Sequence, residues 1–155
     1  MRFVAALRPQ LIRIAPPWTT FRETVSGLVD MLREHGALSA THALDAVRAV
    51  TSREADASTA LLDIGVGIPH ARVPGLDGVM TAVALSSRGL YEAVPTVPIH
   101  IVALVLSPAV AAQEHLQLLA NAAMSLRSGE LRDALLQAPD AVTAHDVLAR
   151  HARSS

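Results

Sequence analysis

The sequence predicts an α/β fold: a mixed β-sheet sandwiched between helices, in a single domain over residues 1–155 with a core from about residue 11 to residue 150. Apolar residues at helical spacing alternate with short β-branched runs, and the last third of the chain is rich in helical patterns. A chain of 155 residues, 51% of them hydrophobic, is also long enough to bury a core without disulfide bonds.

The first strand and the first helix are defined by the residues at their ends. Leu11–Ala15 alternates as a strand does, and two prolines end it. Thr20 followed by Glu23 forms the pattern of a capping box, so we expect a helix to begin there. Gly36 is its expected end, and its apolar side consists of Phe21, Val25, Leu28 and Leu32.

A second helix is expected after Ser39, which is a favourable N-cap residue. Arg53 lies three residues beyond the last member of its apolar stripe. An arginine in that position either lies along the apolar surface with its charged end in water or binds an anion at the edge of the core. Both interpretations stay open. The stripe consists of Ala40, Ala43, Leu44, Val47 and Val50.

Two strands are expected in the middle of the chain. Residues 54–78 read as loops around the short segment Gly65–Pro69, because glycine, proline and aspartate punctuate them. The β-branched runs Val79–Leu85 and Ile99–Leu106 follow. The second is apolar at nearly every position, as in a central strand that is covered on both faces. His100 lies at its start, where we expect a structural role.

A long helix is expected from about Val110 to Arg127, after Ser107 and Pro108 have ended the strand. His115 falls in the first turns of this helix, and helix N-termini favour anions through their free amide groups and the macrodipole. The expected apolar face consists of Leu116, Leu119, Ala120 and Ala123.

Two shorter helices are expected after the long one. The first is Glu130–Gln137, and Pro139 and Asp140 form the turn that follows it. Thr143 is the expected cap of the last helix, which runs towards Arg150.

The composition excludes several classes of chemistry. There is no cysteine, so disulfides, thiolate metal sites and a cysteine nucleophile are absent. All 13 basic residues are arginine, which excludes a lysine Schiff base, and seven histidines supply acid–base and nucleophilic groups near neutral pH. A net charge of −1 does not favour nucleic acid as a partner. No apolar run approaches the roughly 20 residues of a membrane helix, so we expect a cytoplasmic protein without direct membrane insertion.

The stretch Gly67-Ile68-Pro69-His70 is the main candidate for a functional motif. Gly65 and Gly67 allow backbone or ligand to approach closely, and Pro69 stiffens the segment before His70. The alternative is a turn that carries an ordinary histidine. A neutral imidazole can accept a phosphoryl group on one nitrogen while the other keeps its proton, and such a transfer depends on positioning and charge stabilisation, without an obligatory metal or cofactor. Arg53 and His115 could supply donors to that group, if the fold brings them to His70.

The same residues form a set that resembles a known family. R-E followed by S-T, then G-I-P-H-A-R, S-P and E-H-L-Q-L-L-A, resembles the enzyme IIA domains of the bacterial sugar phosphotransferase system, of the fructose/mannitol type with its nitrogen-regulatory relatives. The resemblance extends from about Leu11 to Gln137. It implies a mixed sheet sandwiched by helices, in agreement with the periodicity.

The resemblance also implies roles for three residues. His70 matches the histidine that a small histidine phosphocarrier protein phosphorylates, His115 the second active-site histidine, and Arg53 the arginine beside the phosphoryl group. The family passes the phosphoryl group to a cysteine or histidine on a IIB domain or uses it as a regulatory signal. We therefore expect a phosphotransferase component, with an apolar partner surface around His70 for which Ile68, Val73 and Leu76 are candidates.

The chain departs from the family pattern between Ala60 and Gly67. Ala60 stands where glycine often follows Ser-Thr, the segment is one residue longer than in nitrogen-regulatory members, and Asp63 places a carboxylate near a phosphate-accepting site. An inward-facing Asp63 would repel phosphate, whereas on a loop it would face solvent.

Two alternatives remain at this point. The first is a regulatory binding module of the same fold that controls a transporter, a kinase or a transcription factor. The second is a metal hydrolase with histidine ligands, although no H-x-x-x-H or H-x-H pair is present. The pattern does not define a downstream partner or an oligomeric state.

Overall fold

The computed structural model describes residues 2–93 and 96–154 and has the predicted α/β fold, a mixed sheet between helices in a single domain. Two short 3₁₀ helices, Phe3–Ala6 and Pro9–Leu11, precede the first strand. The strands are β1 Ile12–Ile14, β2 Ala60–Leu61, β3 Val66–Gly67, β4 His70–Val73, β5 Met80–Leu85, β6 Tyr91–Ala93, β7 Val97–Ile99 and β8 Ile101–Pro108. The helices are α1 Phe21–Glu34, α2 Ala40–Asp56, α3 Ala112–Leu126, α4 Gly129–Gln137 and α5 Ala141–Ser154.

Strand β8 is the centre of the sheet. All eight of its residues are buried, so both faces of the strand are covered, as its continuous apolar sequence predicts. β5 pairs with it in antiparallel orientation, with Met80 opposite Leu106, and β1 lies outside β5. β3 and β4 both pair with the other edge of β8 in parallel orientation, and β2 lies outside β3. β6 and β7 form a separate two-stranded sheet.

β3 and β4 are two parts of one pass along β8. Gly67 pairs with Val102 and His70 pairs with Val105, so the register is the same before and after Ile68 and Pro69. Pro69 has no amide proton, but its carbonyl accepts a hydrogen bond from the Val105 amide at 3.0 Å. The chain around the proline is therefore held against the central strand on both sides.

The predicted helix starts at Thr20 and Ser39 are confirmed. The Glu23 amide donates to the Thr20 hydroxyl at 3.0 Å, and the Glu23 carboxylate accepts from the Thr19 amide at 3.0 Å, which is a capping arrangement shifted by one residue. The Ser39 hydroxyl accepts from the His42 amide. The predicted cap of the last helix is wrong, because Asp140 accepts from the Thr143 amide at 2.8 Å and α5 begins at Ala141.

The predicted apolar face of the long helix is half right, because Leu119 and Ala123 pack against the core whereas Leu116 and Ala120 are exposed. His115, Leu118, Ala122 and Leu126 are the buried residues of α3, whereas Leu116 is 66% exposed. Leucine and alanine occur on both sides of this helix, so the spacing of apolar residues alone allows either face. Leu44 in the predicted stripe of α2 is likewise 53% exposed.

Other differences concern strand boundaries. Residues 54–78 contain β2, β3 and β4 rather than loops alone, and β6 and β7 follow β5. The sequence does not predict these strands because the segment contains glycine and proline, which are depleted in strands generally. Ser107 and Pro108 do not break β8 but form its last two positions, where Val73 of β4 is the partner of Pro108.

The glycines of the motif contact protein rather than an open ligand site. Gly65 has a φ of 65°, a conformation that side chains rarely adopt. A Cβ added at Gly67 would overlap the Tyr91 hydroxyl, which is buried and has no hydrogen-bond partner among the described residues. Burial, together with the nearby Glu54 carboxylate, raises the pKa of Tyr91. Phe21 packs edge-on against the Tyr91 ring, with the ring centroids 5.3 Å apart.

We expect Gly67→Ala to destabilise the protein by about 1–3 kcal/mol, because the new methyl group meets the Tyr91 hydroxyl. Tyr91→Phe should be nearly neutral or stabilising, since it removes a buried hydroxyl without a partner. In the double variant most of the Gly67→Ala loss should be recovered. Urea unfolding measures all three free energies. Gly78→Ala is the matched control, since nothing lies within 4 Å of a Cβ there. Equal losses at Gly67 and Gly78 would contradict this packing.

Candidate functional site

His70 is the first residue of β4 and is half-buried at the edge of an open cleft of about 480 Å³. Its Nδ1 lies 2.8 Å from the backbone carbonyl oxygen of Ile68. A carbonyl oxygen only accepts hydrogen bonds, so Nδ1 carries the proton and the Nε2 of the neutral ring keeps a free lone pair. The fold thus presents one nucleophilic nitrogen of His70.

His115 lies in the first turn of α3 and lines the same cleft. Its ring centroid is 5.4 Å from that of His70, with 56° between the ring planes. Its Nδ1 is 2.7 Å from the hydroxyl oxygen of Ser107, a completely buried residue of β8. No side chain caps the N-terminus of α3, which begins beside the cleft.

The environment keeps His115 neutral. The residue is only 7% exposed, and this burial, with smaller contributions from the nearby His70 and Arg72, lowers the pKa of His115 from 6.5 to about 4. At physiological pH the ring therefore has one N–H donor and one acceptor nitrogen.

Arg53 lies in the last turn of α2 and lines the cleft together with both histidines. Its Nη1 donates to the carbonyl of Ala57 at 3.1 Å, which holds the guanidinium at the C-terminal end of its own helix. The Arg53 side chain is exposed, so the other N–H groups of its guanidinium remain accessible. The structure thus brings Arg53, His70 and His115 to one cleft, although they are far apart in the chain.

Arg72 also lines the cleft and was not predicted as a site residue. It is two residues beyond His70 on the same strand, and side chains at that spacing point to the same face of a sheet. Its charge contributes to the low pKa of His115. The signal in the sequence is the His-Ala-Arg pattern. It predicts that Arg72 lies on the same face as His70 only if the segment is recognised as a strand.

One expectation about the surroundings of His70 is wrong, that of an apolar rim, and another is confirmed, that of a solvent-facing Asp63 on a loop. Ile68, Val73 and Leu76 do not form an exposed rim, because each is less than a tenth exposed and packs into the core. Asp63 faces solvent and forms an ion pair with Arg127 at 2.8 Å, and this pair holds the pKa of Asp63 below its usual value. The carboxylate is therefore engaged elsewhere, and it is not among the residues that line the cleft.

Other features of the described residues bear on the alternatives. A second cleft, of about 510 Å³, lies at the start of α1 and is lined by Phe21, Arg88 and Tyr91 among others, without a histidine. In residues 2–93 and 96–154, no three histidine or acidic side chains come together in a way that could hold a metal ion. Within those ranges, the helices are also too short or too polar to cross a bilayer.

Residues 5–151 match the family described as "Phosphoenolpyruvate-dependent sugar phosphotransferase system, EIIA 2". The chain belongs to this family. Membership of the EIIA 2 family confirms the resemblance found in the sequence, and it supports a phosphotransferase role in general.

Individual relatives agree with the EIIA 2 assignment. The chain is 31% identical over 141 residues to the fructose-specific EIIA component of Haloferax volcanii, covering 90% of both chains. The nitrogen regulatory protein IIA-Ntr of Neisseria meningitidis has the same fold, with a TM-score of 0.80, 22% identity, and 94% of this chain and 97% of that chain covered. Enzyme IIA mannitol of Escherichia coli, in a complex with phosphorylated enzyme IIB mannitol, gives a TM-score of 0.73 at 16% identity, with 93% and 97% covered.

The low pKa of His115 predicts that the free energy of unfolding depends on pH. Between pH 6.5 and about pH 4 the unfolded chain binds a proton at this residue and the folded chain does not, so the free energy of unfolding should fall as the pH falls through this range. His115→Gln should reduce this part of the pH dependence. Urea unfolding of both proteins at several pH values measures it. Identical pH dependence in the two proteins would show that His115 titrates normally in the folded state.

Proposed function

We propose that this protein is a phosphoryl carrier that accepts a phosphoryl group on Nε2 of His70 from a histidine phosphocarrier protein and passes it to a IIB domain. The observation that carries the proposal is the hydrogen bond between His70 Nδ1 and the Ile68 carbonyl. It fixes the tautomer and leaves Nε2 as the reactive nitrogen, on a strand that is paired with the buried centre of the sheet.

The transfer balances without a further reactant. The Nε2 lone pair attacks the phosphorus atom, the phosphorus–nitrogen bond of the donor phosphohistidine breaks, and its electron pair returns to the donor ring. The His70 ring keeps its proton on Nδ1 and becomes positively charged, and the Ile68 carbonyl stabilises that charge. Attack on the phosphorus by a cysteine or histidine of the acceptor then restores the neutral imidazole.

Three groups around the cleft are available to stabilise the moving phosphoryl group. Neutral His115 has an N–H to donate, and Arg53 and Arg72 each provide a planar guanidinium. Two guanidinium groups at the cleft attract the negatively charged phosphoryl group of the incoming protein. We assign these three residues to charge stabilisation and His70 alone to covalent chemistry.

The nearest candidates for an apolar docking surface lie at the start of α3. Val110 is 94% exposed and follows Ala109, which lines the cleft; Leu116 is 66% exposed and follows His115. An incoming protein has to bring its phosphohistidine to His70, so its surface would cover these side chains. They replace Ile68, Val73 and Leu76 in the proposed docking surface.

A regulatory role is a second candidate. The fold is shared with a nitrogen regulatory protein, and phosphorylation of His70 would add a dianionic group at a surface cleft. In that case the phosphorylated and unphosphorylated forms would bind a target protein with different affinities. Pull-down of partners with each form distinguishes this from a transport relay, in which the phosphoryl group is transferred to the partner.

Incubation with phosphoenolpyruvate, enzyme I and the histidine phosphocarrier tests the proposed function. We expect an acid-labile, alkali-stable phosphoryl adduct on the wild-type protein and none on His70→Ala. His115→Ala and Arg53→Ala should still be labelled, with rates lower by about 10²-fold, because each loses one stabilising donor. His100→Gln is the control, since His100 also binds a backbone carbonyl through Nδ1 but does not line the cleft. Labelling that survives in His70→Ala would refute the assignment.

Charge placed on the docking surface should weaken the encounter with the phosphocarrier. We expect Val110→Glu and Leu116→Glu each to raise the KM for the phosphocarrier by roughly tenfold, with a smaller effect on kcat, because they disturb binding rather than chemistry. Initial rates at varied phosphocarrier concentration measure this. Val142→Glu, at a residue of α5 that is 60% exposed, is the matched control. An equal effect of Val142→Glu would place the docking surface elsewhere.

A further inference from the structure

Ser107 has a buried hydroxyl group that contacts His115, one of the histidines of the cleft. It belongs to β8, is completely buried, and is the strand partner of Arg72. Its oxygen lies 2.7 Å from Nδ1 of His115. No other hydrogen bond of this side chain occurs within the part of the chain that the structure describes. The contact joins the rigid centre of the sheet to the first turn of α3.

The hydrogen-bond inventory decides which partner donates. If His115 Nδ1 carried the proton and donated to Ser107, the serine hydroxyl proton would have no acceptor among the described residues in a buried position, which is unfavourable. If Ser107 donates instead, its proton is satisfied and Nδ1 acts as an acceptor. A neutral imidazole with an unprotonated Nδ1 carries its proton on Nε2.

We propose that Ser107 is a positioning residue: its hydroxyl donates to His115 Nδ1 and holds His115 in the tautomer whose Nε2–H is available to the phosphoryl group on His70. The assignment of that phosphoryl group rests on the proposed function. The tautomer itself does not, because it follows from the hydrogen bond alone.

The two histidines of the cleft are thereby fixed in opposite states. Both turn Nδ1 to a protein oxygen, but the oxygen beside His70 is a carbonyl, which only accepts, and the oxygen beside His115 belongs to a hydroxyl, which can donate. His70 therefore presents a lone pair on Nε2 and His115 presents a proton on Nε2. One ring is suited to attack phosphorus, and the other to hydrogen-bond a phosphoryl oxygen.

The placement of Ser107 explains how a single hydroxyl can hold this geometry. Ser107 is paired with Arg72 of β4, and the preceding Leu106 is paired with Met80 of β5 as well, so the serine backbone has little freedom. His70 and Arg72 are on β4, opposite Val105 and Ser107 in the register. The group that orients His115 is thus built on the same two strands as the phosphoryl acceptor.

Long-range proton–nitrogen NMR of the unphosphorylated, nitrogen-15-labelled protein tests the tautomer directly. We expect wild-type His115 to be protonated on Nε2 and His70 on Nδ1. In Ser107→Ala, His115 should populate the Nδ1–H tautomer, whereas Ser107→Thr, which keeps the hydroxyl, should retain the wild-type state. An Nδ1–H tautomer of His115 in the wild-type protein would overturn the proposal, whether or not any variant folds.

The rate of phosphorylation tests whether the orientation of His115 by Ser107 matters for phosphoryl transfer. Ser107→Ala should lower kcat by roughly tenfold or more with little change in the KM for the phosphocarrier, and Ser107→Thr should recover most of the loss. Ser86→Ala, at a buried serine that does not line the cleft, should leave kcat unchanged. An unchanged kcat in a Ser107→Ala protein with altered tautomer would overturn the positioning role. Labelling that persists in His70→Ala would refute the proposed function while leaving the tautomer result valid.

Discussion

The parallel pairing of β4 with the buried strand β8 is the constraint on which the rest of the site depends. β4 begins at His70 and keeps the register with β8 that β3 has already set. Pro69 has no amide proton, but the pairing on both sides of it and its carbonyl hydrogen bond hold it against β8. Because the backbone is fixed there, the Ile68 carbonyl stands within hydrogen-bond distance of His70 Nδ1. A flexible loop would allow either nitrogen of the ring to face the cleft. The strand allows one.

The central strand also supplies the second half of the site. Ser107, near the end of β8, meets His115 as α3 begins, and burial keeps that imidazole neutral. Neutrality has a functional advantage: a permanently charged second histidine beside His70 would disfavour the positive charge that His70 gains on phosphorylation. Permanent positive charge is provided instead by Arg53 and Arg72, whose guanidinium groups are exposed and screened by solvent. The half-buried and buried histidines thus carry out the chemistry, whereas the exposed arginines provide the positive charge.

Local signals in the sequence predicted much of this architecture and failed where distant segments decide. The caps at Thr20 and Ser39 and the apolar run of β8 are local patterns, and they were predicted correctly. That Arg53, His70 and His115 could share a site was a hypothesis from their chemistry, to which the resemblance to a family added roles, since no spacing connects the three residues. The strands around Pro69 were missed because their pairing with β8 overrides weak strand propensity. The contact between Ser107 and His115 could not be predicted, because it joins a strand to a helix across the turn between them.

The central claim is that the fold, and not the phosphoryl donor, selects Nε2 of His70 as the reactive nitrogen. The most direct test is proton–nitrogen NMR of the nitrogen-15-labelled protein after enzymatic phosphorylation, which distinguishes the two positions of phosphate on an imidazole. The account predicts a single phosphohistidine at residue 70, with phosphorus on Nε2 and the proton retained on Nδ1. Phosphate on Nδ1 of His70, or on any other histidine, would contradict it.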